Sequence, residues 1–268
     1  MQRIALTTVA LLLSAWSLVG CVPTASAPIP RAVDGVLDLR GWNFEANGPI
    51  PLNGEWAFYW QRFLTSQEFA SPSPPEKSGL IPVPGAWNSQ LHNDQPVGGM
   101  GFATYRLRVL VAPGATGEGL AAIRMPPPVN TAHVLYVNRQ RVGGAGRVGN
   151  SPQESRAAYA PYIALFPSPD GQIEVLLHIS NYLHASGGLT EAPVFGPHAQ
   201  VVDQFQVQAG RNLFLLGTIA VMGVYHLTLF SLRRRERAYL YFGLFCLAVG
   251  AVVTSILHPA LFARTVSP

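Results

Sequence analysis

Cysteine is almost absent from this sequence: among 268 residues there are two, Cys21 and Cys246. The long segment between them can hold neither a disulfide framework nor a cysteine-based zinc site. Charge is scarce as well, since only 12% of the residues are charged, about half the share in a typical soluble domain. The net charge is +4, and residues 233–237 alone contribute +3 of it. The remainder lacks the basic face that a nucleic-acid-binding surface needs, so we expect no nucleic-acid partner.

The motifs of common enzymes are also missing. The sequence has no Gly-x-Ser-x-Gly elbow, no His-Glu-x-x-His pair and no Walker sequence. Gly143–Gly149 is rich in glycine but lacks the following helix that would hold a phosphate. The carboxylates are scattered, with no pair placed for glycoside hydrolysis: Glu55, Glu68, Asp94, Asp170, Glu174 and Glu191. We therefore predict a protein that is not an enzyme and has neither a cofactor nor a metal.

Two apolar runs near the end of the chain, Leu213–Leu232 and Ala238–Leu257, contain no Asp, Glu, Lys or Arg. Each has the length of about 20 residues that a helix needs to cross a bilayer. The arginine-rich Arg233–Arg237 separates them, which predicts a transmembrane helical hairpin with a basic cytoplasmic loop. Everything before Arg211 then lies on the opposite side. Two buried helices of a soluble protein are the alternative, although such helices normally carry a polar stripe.

The first 20 residues, Met1–Gly20, have a basic start and an apolar run, which predicts a signal peptide. Leu18–Cys21 resembles the lipobox of bacterial lipoproteins, in which Cys21 would be the lipidated residue. Ordinary cleavage after Ala25–Ala27 is an alternative, although the proline that follows is a poor scissile partner. An uncleaved anchor with a chance cysteine is another. All three place the body of the protein outside the cytoplasm.

Residues 34–200 follow a Pro- and Ala-rich linker at 21–33 and read as short alternating segments separated by Gly, Pro and Asn. In Gln172–Ser180, apolar residues alternate with Glu174, His178 and Ser180 on the opposite face. Asn138–Gln140 is typical of a hairpin turn. Further strands are predicted at Gly54–Trp60, Thr104–Val111, Leu120–Met125, Ala132–Val137, Arg141–Gly143, Tyr159–Phe166 and Ala192–Phe195. Eight or nine short strands predict a mainly β fold, a β-sandwich of jelly-roll type.

Several of these segments resemble known families. Pro51–Trp60, Val83–Asn88, Gly101–Val109 and Tyr136–Asn138 are similar in order to the galactose-binding-like jelly roll of family 2 glycosidases and bacterial sensors. Of these two groups, Asn181–Gly188 and the predicted helical hairpin favour the bacterial sensors. Residues 233–247 (RRRERAYLYFGLFCL) resemble the first intracellular loop and second helix of bacterial seven-transmembrane receptors with diverse intracellular signalling modules.

This resemblance implies a receptor of the bacterial inner membrane that senses a carbohydrate-like ligand in the periplasm. Residues 34–200 would form the sensor, 201–210 a coupling segment and 211–268 the start of a helical bundle. Complete members carry five more helices and often a cytoplasmic output domain, so the chain resembles a truncated receptor that needs a partner to supply them. Two alternatives remain: a membrane-anchored accessory carbohydrate-binding protein without signalling, and the remnant of a glycosidase.

Two loops carry the candidate ligand-binding residues. The first joins an aromatic ring to amide, imidazole and carboxylate groups, a set that suits a sugar; the second has paired glycines, which let a backbone approach a ligand. The candidates are Trp87, Asn88, His92 and Asp94 in the first loop and Asn181, Tyr182 and His184 in the second. Alternatively, Trp87 is a core aromatic, Asn88 caps a turn, and the polar groups of the second loop satisfy one another.

Overall fold

The computed structural model describes residues 28–92, 94–117, 119–126, 131–168, 171–261 and 264–266, with side chains up to residue 254. The predicted signal peptide, the lipidation of Cys21 and the first part of the linker lie outside these residues. Up to residue 197 the described chain is mostly β-structure. Its strands are β1 (Val36–Leu39), β2 (Ile50–Pro51), β3 (Gly54–Trp60), β4 (Gly79–Val83), β5 (Gly85–Ala86), β6 (Leu91–His92), β7 (Gln95–Pro96), β8 (Gly101–Val111), β9 (Leu120–Met125), β10 (Ala132–Val137), β11 (Gln140–Ala145), β12 (Tyr162–Pro167), β13 (Gln172–Asn181), β14 (Gly188–Leu189) and β15 (Val194–Pro197).

In the described part of the chain, four helices accompany these strands. Two are single turns, α1 (Phe44–Asn47) and α2 (Ser66–Phe69). The other two are long and follow the sandwich, α3 (His198–Leu232) and α4 (Arg237–Leu261). A last strand, β16 (Arg264–Val266), comes after α4.

The strands form two main sheets. The larger has the order β11-β10-β13-β8-β3-β4, and β1 lies parallel to β8 at the end that β3 leaves free. The smaller has the order β16-β12-β9-β15-β2. Buried side chains of both sheets share one continuous core. The predicted fold class, a β-sandwich followed by a helical hairpin, is confirmed.

The core follows the predicted alternation. In β8 and β13 every second residue is at most 1% exposed: Tyr105, Leu107, Val109 and Val111, and Ile173, Val175, Leu177 and Ile179. Their period of two places all eight on the inner face. His178 and Ser180 lie on the other face as predicted, yet they are buried too, because chain outside the sheet covers them.

A polar contact joins the sheets inside the core. His133 of β10 stacks on Tyr162 of β12, with 3.1 Å between the imidazole Nε2 and the phenol oxygen. Burial lowers the pKa of His133 to about 4, so the ring is neutral at neutral pH. The pair is therefore a structural link between the two layers.

The turn between β10 and β11 confirms the predicted hairpin. Asn138 and Arg139 have φ angles of 47° and 73°, the left-handed values of a two-residue hairpin turn. Gln140, predicted as part of the turn, is instead the first residue of β11.

The predicted apolar runs lie within α3 and α4. Both helices are long and apolar enough to cross a membrane, and only 6% and 11% of their most apolar segments are buried. The core helices of a soluble protein would be mostly buried, so that alternative does not fit. After α4 the chain pairs β16 with β12, which places both outer ends of the hairpin on the side of the sandwich.

Glycine lets α3 and α4 approach closely. A Cβ at Gly243 would lie 2.8 Å from Leu227 Cγ and 3.1 Å from the Gly223 carbonyl oxygen. Small residues at helix crossings serve this purpose in membranes, where van der Waals packing drives helix association.

We expect Gly243→Leu to separate the two helices and raise the reactivity of Cys246, which is buried at this contact. Overpacking of this kind costs about 1–3 kcal/mol. The measurement is the rate of Cys246 alkylation by a membrane-permeable maleimide in vesicles, read by peptide mass spectrometry. Gly250→Leu is the control, since the nearest atom to a Cβ there is 3.9 Å away. Equal rates in both variants would contradict close packing at Gly243.

Candidate functional site

The structure brings the two predicted loops together. Strand β5 pairs with β14, and the backbone N–H of Trp87 donates to the Gly187 carbonyl at 2.9 Å. The Asn88 amide crosses the same gap: Nδ2 donates to the Ala185 carbonyl at 2.8 Å, and Oδ1 accepts from the Gly187 N–H at 3.0 Å. Asn88 thus holds one loop to the other.

Trp87 is a core residue. Its side chain is fully buried, and its ring packs against Phe58, Trp60 and Tyr105 at centroid distances of 5.3–6.4 Å. The indole N–H donates to the Gly99 carbonyl at 3.1 Å. The structure therefore agrees with the core alternative: neither face of this ring is open for stacking on a sugar.

Asn181 is fully buried as well, and its amide organises the second loop. Nδ2 donates to the carbonyls of Gly99 and His184 at 2.8 and 2.7 Å, and Oδ1 accepts from the His184 N–H at 3.0 Å. A further contact joins Nδ2 to the Ser186 carbonyl. Because each of these groups is used within the protein, Asn181 has no free amide to offer a ligand here.

The remaining candidates lie at the surface. His184 is half-buried and accepts from the Ser186 N–H at 3.2 Å, and Tyr182 is half-buried with a pKa raised by burial. His92 and Asp94 belong to the separate β6–β7 hairpin. Among the described residues, no hydrogen bond joins either of them to the Asn88–Asn181 cluster.

A pocket lies elsewhere, on the outer face of the larger sheet. Its volume is about 240 Å³. Residues of the α2 segment form one wall, and side chains of β10, β13 and the β10–β11 turn form the other. The lining residues are Leu64, Thr65, Ser66, Gln67, Tyr136, Arg139, Leu176 and His178. We call this the α2 pocket.

Buried polar contacts fix the α2 wall to the sheet. The Thr104 hydroxyl, on β8, accepts from the Leu64 N–H at 3.0 Å and donates to the Arg62 carbonyl at 2.7 Å. His178 Nε2, on β13, lies 2.8 Å from the Leu64 carbonyl and so donates to it. At the start of α2, the Glu68 carboxylate accepts from the backbone N–H and hydroxyl of Thr65. The wall is therefore preformed.

The charges around the pocket are nearly all paired. Arg106 and Glu174 form an ion pair of 2.6 Å, and the Arg106 guanidinium also lies 4.2 Å above the Phe69 ring. Hydrogen bonds from Thr65 lower the pKa of Glu68, and burial lowers that of His178. Arg139 has no ion pair or hydrogen bond to any described side chain, so its guanidinium is free.

Sequence reasoning missed this pocket because its walls come from segments about 40 residues or more apart. One local signal was present: Thr65-Ser66-Gln67-Glu68 has the Ser/Thr-x-x-Glu spacing of a helix start. It marks an ordered turn after β3, where the alternating pattern had ended.

Comparison with known protein families gives a match that covers the two long helices. Residues 210–262 match the model of the family described as 7TM diverse intracellular signalling. These residues are therefore similar to that family, and we call them the 7TM segment. This match spans both apolar helices and the arginine loop, and it confirms the resemblance predicted from residues 233–247. Together with the two apolar helices, the 7TM segment identifies a membrane protein that carries a β-sandwich ahead of its helices. No curated protein matches the sequence.

Several solved structures are similar to 56% of this chain. A β-glucuronidase from Ruminococcus gnavus is 13% identical, with a TM-score of 0.42. A β-glucuronidase from an uncultured Clostridium species is 15% identical, with a TM-score of 0.41. A GH2 β-galacturonidase from Eisenbergiella tayi bound to galacturonate is 17% identical, with a TM-score of 0.35. The similar region spans 28%, 29% and 24% of those three chains.

Proposed function

We propose that this protein is a signal-transduction receptor whose sandwich senses a small ligand outside the cytoplasm and whose 7TM segment receives the signal through α3. The sandwich then lies in the periplasm, and the Arg233–Arg237 loop lies in the cytoplasm, where anionic lipids favour it. The ligand is proposed to be carbohydrate-like. Further helices or an output domain would complete the signalling path.

The junction between the sandwich and α3 carries this proposal. Pro197 ends β15, and α3 begins at the next residue, so no loop separates them. The first turns of α3 pack on the outer face of the smaller sheet: Val201 is fully buried, and Val202 and Phe205 join the same apolar cluster. The helix then continues into the 7TM segment. A shift of the smaller sheet would therefore move the docked end of α3 and, through the continuous helix, its membrane end. We call this coupling the lever.

A binding role without catalysis is supported by the positions of the carboxylates. Glu174 pairs with Arg106, Glu68 caps α2, and Glu191 lies 3.7 Å from Arg124. Each of these three carboxylates therefore already has a partner within the protein.

An accessory binding protein without signalling is the second candidate function. It differs from a receptor in one respect, because it needs no coupling through α3.

The test breaks α3 between its docked turns and the membrane. Gly210 has no neighbour within 4 Å of a Cβ, so neither replacement there disturbs packing. Gly210→Pro interrupts the helix, whereas Gly210→Ala strengthens it. A ligand acts through the lever only if it favours one of two arrangements. We therefore expect ligands that stabilise all three proteins to change the hairpin in the parent and Gly210→Ala, and to leave it unchanged in Gly210→Pro.

The measurement uses nitroxides at positions 214 and 245, whose side chains are exposed on α3 and α4. The protein is the full chain in nanodiscs with Cys246 replaced by serine. A panel of sugars and sugar acids is first ranked by thermal shift, and electron spin resonance then reports the distance between the labels. A ligand that binds without changing this distance in the parent favours the accessory protein. An unchanged response in Gly210→Pro contradicts the lever.

A further inference from the structure

Arg139 occupies a position where its backbone is strained. It is the second residue of the β10–β11 turn, with a φ of 73°, and glycine is strongly preferred there because a Cβ is disfavoured at positive φ. Strain of this kind in a non-glycine residue often accompanies function. Here it positions a guanidinium at the edge of the α2 pocket.

The pocket lining has two chemical characters. Leu64 and Leu176 supply an apolar surface, and Tyr136 adds an aromatic side chain. Thr65 and Gln67 are exposed: the Thr65 hydroxyl donates to Glu68, but its oxygen can still accept a hydrogen bond, and Gln67 supplies an amide. A volume of about 240 Å³ is below the roughly 300–1,000 Å³ of pockets for drug-sized ligands, so it suits one ring rather than an oligosaccharide.

The charged side chains around the α2 pocket indicate which chemical group a bound ring would carry. Arg106 and Glu174 neutralise each other beside the pocket. Arg62 is exposed and does not line the pocket, and Glu68 is held by its hydrogen bonds to Thr65. His178 is buried and donates to the Leu64 carbonyl. Among the described residues that line the pocket, Arg139 is the one whose charge has no partner, and a guanidinium pairs best with a carboxylate.

We propose that the α2 pocket binds a hydroxylated organic acid of one ring, of the size of a single sugar acid, and that Arg139 pairs with its carboxylate. The apolar wall and Tyr136 contact the ring, and Thr65 and Gln67 bond its hydroxyl groups. This proposal supplies the ligand for the receptor function proposed above, and it rests on that function only for the consequence of binding.

The test is calorimetric titration of the full chain in detergent with D-galacturonate and with D-galactose, which has the same ring without the carboxylate. We expect a Kd of about 1 mM or tighter for D-galacturonate, and at least about tenfold weaker binding of D-galactose. Arg139→Gln should weaken D-galacturonate binding by about tenfold or more, because a charge-assisted pair is lost. Arg141→Gln, an exposed arginine two residues further on that does not line the pocket, should change it less than about twofold.

Arg139→Gly separates binding from folding. Glycine relieves the strained φ, so this variant should keep its Tm or gain up to about 4 °C, while losing D-galacturonate binding. A purely structural role for Arg139 predicts no such combination. Absent binding in the parent, equal binding of D-galactose, or full binding by Arg139→Gln would each overturn the proposal. None of these outcomes depends on the hairpin. The coupling through α3 is tested separately, by the spin-label experiment.

Discussion

Replacing Asn181 by Asp should destabilise the sandwich by about 3–5 kcal/mol, the cost of leaving an uncompensated charge buried. The two side chains have the same shape, but a carboxylate oxygen would replace Nδ2. It would then face the carbonyl oxygens of Gly99 and His184 at 2.8 and 2.7 Å, where the amide now donates. We expect the Tm of the full chain in detergent to fall by about 10 °C or more. Acidification should recover part of this loss, because a protonated carboxyl can donate one hydrogen bond.

Asn138→Asp is the matched control. Among the described residues, the side chain of Asn138 bonds through Oδ1 alone, which accepts from the Glu174 N–H at 2.9 Å, and a carboxylate keeps that acceptor. Aspartate also tolerates the left-handed backbone at this turn. Similar losses of Tm in both variants would show that the amide donors of Asn181 are not what stabilises the loop.

Trp87→Ala should cost about 3–5 kcal/mol, the range for removing a large buried aromatic side chain. Trp87 packs against three other aromatic rings, and a Cβ at Gly187 would lie 2.3 Å from its ring, so the surroundings are shaped around the indole. Thermal unfolding followed by tryptophan fluorescence measures the loss. Trp87→Phe should cost less, because most of the ring packing remains and the Gly99 carbonyl still accepts from Asn181.

Leu183→Ala provides the comparison for a loop residue that lies outside the core. Leu183 is 75% exposed in the same loop cluster, and its truncation should shift the Tm by little. If Trp87→Ala behaved like Leu183→Ala, Trp87 would not belong to the core, and its availability for a sugar would have to be reconsidered.

Strands with regular alternation could be predicted well from the sequence. Leu120–Met125 and Ala132–Val137 were predicted with the bounds that β9 and β10 have. The predicted strands began a few residues before β12 and β15, at Tyr159 and Ala192, because apolar residues already occur before the points where pairing starts. Strand ends depend on the partner strand, and a single sequence does not contain that information.

Strand β4 was missed for a different reason. Gly79–Val83 contains Pro82, which lacks the N–H that a central strand needs. The sheet tolerates it because β4 is the last strand on its edge. The sequence shows the proline but not the edge position that makes it acceptable.

The candidate site could be predicted only in part. The sequence singled out Trp87, Asn88 and Asn181, but it did not predict that the two loops pair. Nor did it predict the burial of Trp87 and Asn181, which depends on Gly187 packing against Trp87 and on the Gly99 carbonyl accepting from both side chains. Arg139 stood in a predicted turn, yet the pocket beside it requires α2 to fold back over the sheet.

The helix α3 also fixes the distance between the turns that dock on the sheet and the start of the apolar run. Phe205 is the last residue of α3 in the cluster that docks on the sheet, and Leu213 begins the apolar run. At about 1.5 Å per residue the two are roughly 12 Å apart, while each headgroup layer of a bilayer is about 5–7 Å thick. In the proposed membrane orientation, the turns of α3 that dock on the sheet therefore lie beyond the headgroup layer. The α2 pocket is on the outer face of the other sheet, so it faces away from these turns.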